Sequence, residues 1–168
     1  MRYLILALMP FLALFLQTTF FRMFSFQGAV PDAVLVLVIF YAIFNGANKG
    51  IIYGAACGLL EDLYFGRFIG MNAIIKGLTG FIIGRLQGNV FKENILVGVL
   101  GVIGGTALNA FLLFILSLVS FEVFNIDKSI FMNLIYQGVY NTLIGIPLYI
   151  WYYRSSTRGI LRKAGKHT

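Results

Sequence analysis

Long apolar runs separated by short clusters of glycine and polar residues set the pattern of this chain. The first run, Tyr3 to Phe21, is bracketed by Arg2 and Arg22. The second, Ala33 to Phe44, follows Pro31-Asp32, a pair suited to the N-cap region and first turn of a helix. Asn45-Gly46-Ala47-Asn48-Lys49-Gly50 has the composition of a turn. A third run, Ile51 to Phe65, is separated by Gly66-Arg67 from a fourth, Phe68 to Leu86. A polar loop from Gln87 to Asn94 leads to a fifth run, Ile95 to Phe121. After Glu122 to Ser129 comes the sixth, Ile130 to Tyr153, ending in Trp151-Tyr152-Tyr153, the makings of an aromatic belt at a membrane surface. A spanning helix takes about 20 residues, so the pattern predicts an all-α integral membrane bundle of about six transmembrane helices. Pro10 is placed to kink the first helix. No small-x-small cleavage site follows that run, so it reads as a retained span.

Composition narrows the class further. The chain has 168 residues, of which 60% are hydrophobic and 11% charged, and its mean hydropathy is +0.89. A soluble domain carries about 25% charged residues, so a water-facing surface of normal polarity cannot be built here. A soluble enzyme and a disordered tail are excluded. Residues 1–153 form the expected transmembrane domain, and 154–168 a basic cytoplasmic tail. The single cysteine, Cys57, and the single histidine, His167, cannot assemble a metal cluster. No cofactor is expected.

Charge reports orientation. One side of the predicted bundle receives Arg2, Lys49, Arg85, Lys92, Arg154, Arg158, Arg162, Lys163 and Lys166. The other receives Arg22, Arg67 and Lys128. The positive-inside rule then puts both termini in the cytoplasm of a multi-pass inner-membrane protein. The net charge of +7 is accounted for by topology rather than by nucleic acid. The tail residues Arg154, Arg158, Arg162, Lys163 and Lys166 have no acidic partner after Asp127 and are expected against anionic lipid. Single cysteines at Arg67, Asp127 and Gly165, in a Cys57→Ala background, test the orientation. An impermeant thiol reagent applied to whole cells should label the first two and spare the third; labelling of the tail position overturns it.

Glycine is concentrated between Gly50 and Gly88, which hold nine of the 19 in the chain. Gly54, Gly58, Asp62 and Gly66 repeat every four residues in the third run. Gly70, Ala73, Gly77, Gly80 and Gly84 repeat every three or four in the fourth. Rows of small residues let membrane helices approach closely, so these runs form a tight hairpin. Inside it lie Glu61, Asp62 and Lys76, charges that cost several kcal/mol each if unpaired in a bilayer. An ion pair between Lys76 and Glu61 or Asp62 is the simplest arrangement. Asn72, Lys76 and Thr79 form a polar strip beside the glycine row and could seat a partner or ligand.

Pro31-Asp32 before an apolar span, then Gly54, Gly58-Leu59-Leu60-Glu61-Asp62-Leu63, Gly66, Gly70-Met71-Asn72-Ala73, Gly80 and Gly84, resembles the rod shape-determining protein MreD family. The likeness is clearest from Pro31 to Gly84. It implies a role in the cell-wall elongation machinery of rod-shaped bacteria. The implied partners are the bitopic protein MreC, the actin-like MreB and the glycan polymerase–transpeptidase pair. The implied fold resembles the S components of energy-coupling-factor transporters.

No catalytic constellation stands beside this. Glu61 and Asp62 are adjacent, so their side chains diverge by about 100° on a helix and make a poor acid–base pair. No nucleophilic serine sits in a Gly-x-Ser-x-Gly turn. The alternative is a small-molecule-binding S-component-like transporter subunit, its cavity lined by Asn109, Asn133, Gln137 and Asn141. The favoured expectation is a non-catalytic scaffold. Gly54, Gly58, Asp62 and Asn72 would receive the transmembrane helix of an MreC-type partner, because the hairpin has more small residues than two helices need to pack on each other.

Overall fold

A computed structural model describes residues 2–25, 28–65, 69–86, 94–119 and 128–157. Seven helices account for most of them: α1 (Arg2–Thr18), α2 (Phe20–Met23), α3 (Ala33–Asn45), α4 (Ala47–Phe65), α5 (Met71–Arg85), α6 (Ile95–Val119) and α7 (Lys128–Thr157). The architecture is all-helical, as the apolar runs predict. The stretches Leu4–Met23 and Ile95–Leu116 are long and apolar enough to cross a membrane. Gly66, Arg67, Gln87 to Glu93, Glu122 to Asp127, Arg158, Arg162, Lys163 and Lys166 lie outside the described residues.

The centre of the bundle is α3. Its sequence, AVLVLVIFYAIFN, is apolar on every face, the mark of a helix surrounded by protein. Ten of its 13 residues are buried, and it touches α1, α4, α5, α6 and α7. Asp32 caps it, accepting a hydrogen bond from Leu35 N at 2.7 Å. Phe40, fully buried, meets Tyr149 edge-on with ring centroids 5.2 Å apart.

Several boundaries move. The turn expected over Asn45 to Gly50 contracts to Gly46, whose φ of 88° falls in the left-handed region open to glycine. Its N–H bonds Ala42 O at 2.8 Å, and Ala47 already belongs to α4. Lys128 and Ser129, expected in a loop, form the first turn of α7, and Arg154 lies in its last turn. The aromatic triplet is not a uniform belt. Trp151 is exposed, but Tyr152 turns inward and stacks its bulk near Phe40 and Phe44. The ring finds more contact against α3 than a helix end offers it.

Candidate functional site

Two features concentrate the polar chemistry of the bundle: a buried network around Lys76 and a glycine-lined seam between α4 and α5. Lys76 projects from the middle of α5 and is 2% exposed. Its Nζ lies 2.6 Å from Asp32 Oδ2 and 2.7 Å from Glu61 Oε2. Glu61 Oε1 accepts from Gln17 Nε2 at 3.5 Å. On the other side, the backbone N–H of Asp32 donates to Asn141 Oδ1 at 2.7 Å, and Asn141 Nδ2 donates to Thr106 Oγ1 at 3.0 Å. This continuous path joins α1, α4, α5, the cap of α3, α7 and α6. Every long helix of the bundle contributes one group to it.

Such a network does little for net stability compared with apolar packing, because desolvating the charges offsets their attraction. It does penalise any other arrangement of the six helices, since each misplacement strands a buried charge or amide.

Asp62 is employed elsewhere. Its carboxylate reaches across to the start of α5, where Gly70 N (2.9 Å), Asn72 N (3.1 Å), Asn72 Nδ2 (2.9 Å) and Ala73 N (3.1 Å) all donate to it. The first N–H groups of a helix have no partner inside the helix, and a carboxylate there also meets the positive end of the dipole. Gly70, at φ 102°, supplies the left-handed turn that aims them. The adjacent acids thus diverge: Glu61 points into the bundle, Asp62 at the tip of the neighbouring helix. Lys76 has Glu61 and Asp32 as partners, not Asp62. Asp32 escaped sequence reasoning because its capping role explained it fully; its second oxygen remained available for a residue 44 positions away.

The seam is tight enough to be specific. A Cβ on Gly54 would stand 2.8 Å from Lys76 C and 3.1 Å from Gly77 Cα. One on Gly58 would stand 2.6 Å from Ala73 N, with the Asn72 carbonyl closer still. One on Gly50 would meet the Gly80 backbone. Gly54 and Gly58 therefore face α5 itself. The expectation that they receive an outside helix is corrected: the fourth run fills that face, and Asp62 and the Asn72 amide are spent on each other.

The amides of α7 separate as well. Asn141 is fully buried in the network, Gln137 Nε2 reaches Val30 O at 3.4 Å, and Asn133 is only half-buried. Asn109 is buried on α6 with its Oδ1 unpaired. Among the described residues no cluster of histidine, cysteine and acidic side chains is suited to a metal.

The family model for the rod shape-determining protein MreD matches residues 1–155, nearly the whole chain. The chain belongs to the MreD family. MreD proteins are membrane proteins that act in determining rod shape, and the resemblance in the glycine hairpin extends to the whole helical bundle. No curated protein and no solved structure matches the chain.

Proposed function

We propose that this MreD-family protein is a non-catalytic scaffold of the cell-wall elongation machinery. In this reading it holds the transmembrane helix of an MreC-type bitopic protein. It links, directly or through that partner, to an MreB-type filament and to a glycan polymerase–transpeptidase pair. The family match over residues 1–155 carries the proposal. The structure supports it in one respect. The charged and amide groups around Lys76 are occupied with one another, while Leu4, Leu8, Phe15, Leu100, Ile103 and Phe111 are exposed on α1 and α6. A partner helix would meet apolar outer faces rather than the glycine seam.

The proposed placement is the bacterial inner membrane with both termini cytoplasmic. The contacts Tyr53–Leu6 and Gln17–Glu61 support the alternation this requires, since they run in the same order along α1 and α4 and make those helices parallel. Affinity purification from native membranes tests the scaffold reading. An MreC-type single-span protein should be enriched over an unrelated polytopic control, and cells depleted of the chain should round up. Recovery of a stoichiometric vitamin or metal ion, with no enriched protein, would transfer the case to a transporter subunit.

A further inference from the structure

A cleft of about 370 Å³ lies between α1 and α4, with α3 behind it. Leu6, Pro10 and Phe11 form one wall, and Tyr53, Ala56 and Leu60 the other. Phe11 and Ala56 at its rim are exposed, so it opens sideways. Both ends are pinned. Pro10 has no N–H, which leaves the Leu6 carbonyl without its helical partner. The Tyr53 hydroxyl donates to that carbonyl at 2.9 Å, while Tyr41 stacks on the Tyr53 ring with centroids 4.2 Å apart. At the far end Gln17 reaches Glu61. Eleven residues separate Leu6 from Gln17, but only eight separate Tyr53 from Glu61. At 1.5 Å per residue α1 has about 4 Å more length between the pins than α4, and the cleft lies between these two contacts.

The cleft is lined almost wholly by apolar side chains, Leu6, Ala7, Pro10, Phe11, Ala56 and Leu60 among them. It is ample for a hydrocarbon chain, since apolar cavities of about 150 Å³ accept benzene. Charge selects the rest of the molecule. Lys49, exposed, lies one turn before Tyr53 on α4, and Arg2 opens α1 one turn before Leu6. No acidic residue occupies the first turn of either helix.

We propose that the α1–α4 cleft binds one acyl chain of an anionic glycerophospholipid, with its phosphate held at the Lys49 end. Its rim residue Phe11 lies on the same exposed stripe of α1 as Leu4, Leu8 and Phe15, so the acyl chain sits beside the face proposed for the partner helix, and its binding is read on the chain without that partner. The acyl chain lies between the two pins, against Leu6, Pro10, Ala56 and Leu60.

Native mass spectrometry of the full chain, released from discs of equal dioleoyl-phosphatidylglycerol and dioleoyl-phosphatidylcholine, tests this. The wild type should retain phosphatidylglycerol in preference. Lys49→Gln should reduce that preference about fivefold, the worth of one basic residue near an anionic surface. Ala56→Trp should fill the cleft and reduce retained lipid about tenfold or more. Ala107→Trp, on an exposed face of α6, should leave retention unchanged. A photo-reactive benzoylphenylalanine in place of Phe11 provides a second measurement that conserves an aromatic rim, and it should capture lipid. The proposal fails if Ala56→Trp retains as much lipid as the wild type. It also fails if Lys49→Gln leaves the preference intact, or if the probe at Phe11 captures protein or nothing.

Discussion

Lys76→Met should lower the stability of the folded bundle by about 3–5 kcal/mol, the usual cost of removing one partner from a buried ion pair. The substitution keeps most of the apolar stem, one atom shorter, and deletes the charge. Asp32 and Glu61 are then left facing each other across the space Nζ had filled, with 7% and 2% exposure. Neither carboxylate has a second cation in the network. The pattern of rescue is more informative than the loss. Adding Glu61→Gln should recover part of the stability, and adding Asp32→Asn should recover part too, because asparagine still caps α3. Both together should recover most. Adding Asp62→Asn should recover nothing, since Asp62 accepts its hydrogen bonds from the start of α5. Thermal unfolding of the detergent-solubilised variants, followed by size-exclusion, reads each step. Recovery with Asp62→Asn but not with Asp32→Asn would show that the lysine has been assigned to the wrong acid.

Gly58→Ala should be the most damaging single methyl group in the hairpin. Two effects oppose each other. Alanine favours a helix over glycine by about 1 kcal/mol. Overpacking costs about 1–3 kcal/mol, and more where the obstacle cannot turn aside. Here the obstacle is the backbone of Asn72 and Ala73, so α5 as a whole must retreat and the Asp62 cap stretches with it. The cost wins. Gly58→Leu should therefore lower the folded protein itself, not merely a complex. At Gly104 nothing lies within 4 Å of an added Cβ, so Gly104→Ala should be neutral or mildly stabilising. Measured side by side in unfolding experiments, equal behaviour of the two alanine variants would remove the case for a close seam.

The glycine rows made the seam visible in the sequence, because their spacing has little other use in a membrane helix. What spacing could not say is which surface they meet. Gly54 and Gly58 fit an internal or an external neighbour equally well, and the approach of α5 decides between them. The position of α3 was legible in principle from its unbroken apolarity. Placing it at the centre would have brought Asp32 within reach of Lys76. A boundary residue with a sufficient local role conceals its long-range one. Asn133, Gln137 and Asn141 repeat every four residues, yet only Asn141 joins the network at the cap of α3, while Gln137 reaches Val30 O outside it. Tyr152 misled for a related reason: a Tyr beside Trp near a helix end suits both an interface and a core, and its neighbours Phe40 and Phe44 are distant in sequence.

The network around Lys76 also constrains the order in which the protein can be made. Translation delivers Asp32 44 residues before Lys76. At about 5–20 residues per second, that is an interval of roughly two to nine seconds. During it the central helix exists with an acid at its head and no counter-ion. Asn141 and Thr106, which complete its surroundings, emerge later again. The apolar body of that helix favours lipid, while the acid at its head gains its counter-ion only when α5 arrives. The surroundings of α3 are thus complete only after α5, α6 and α7 have been made, so its final packing cannot precede theirs.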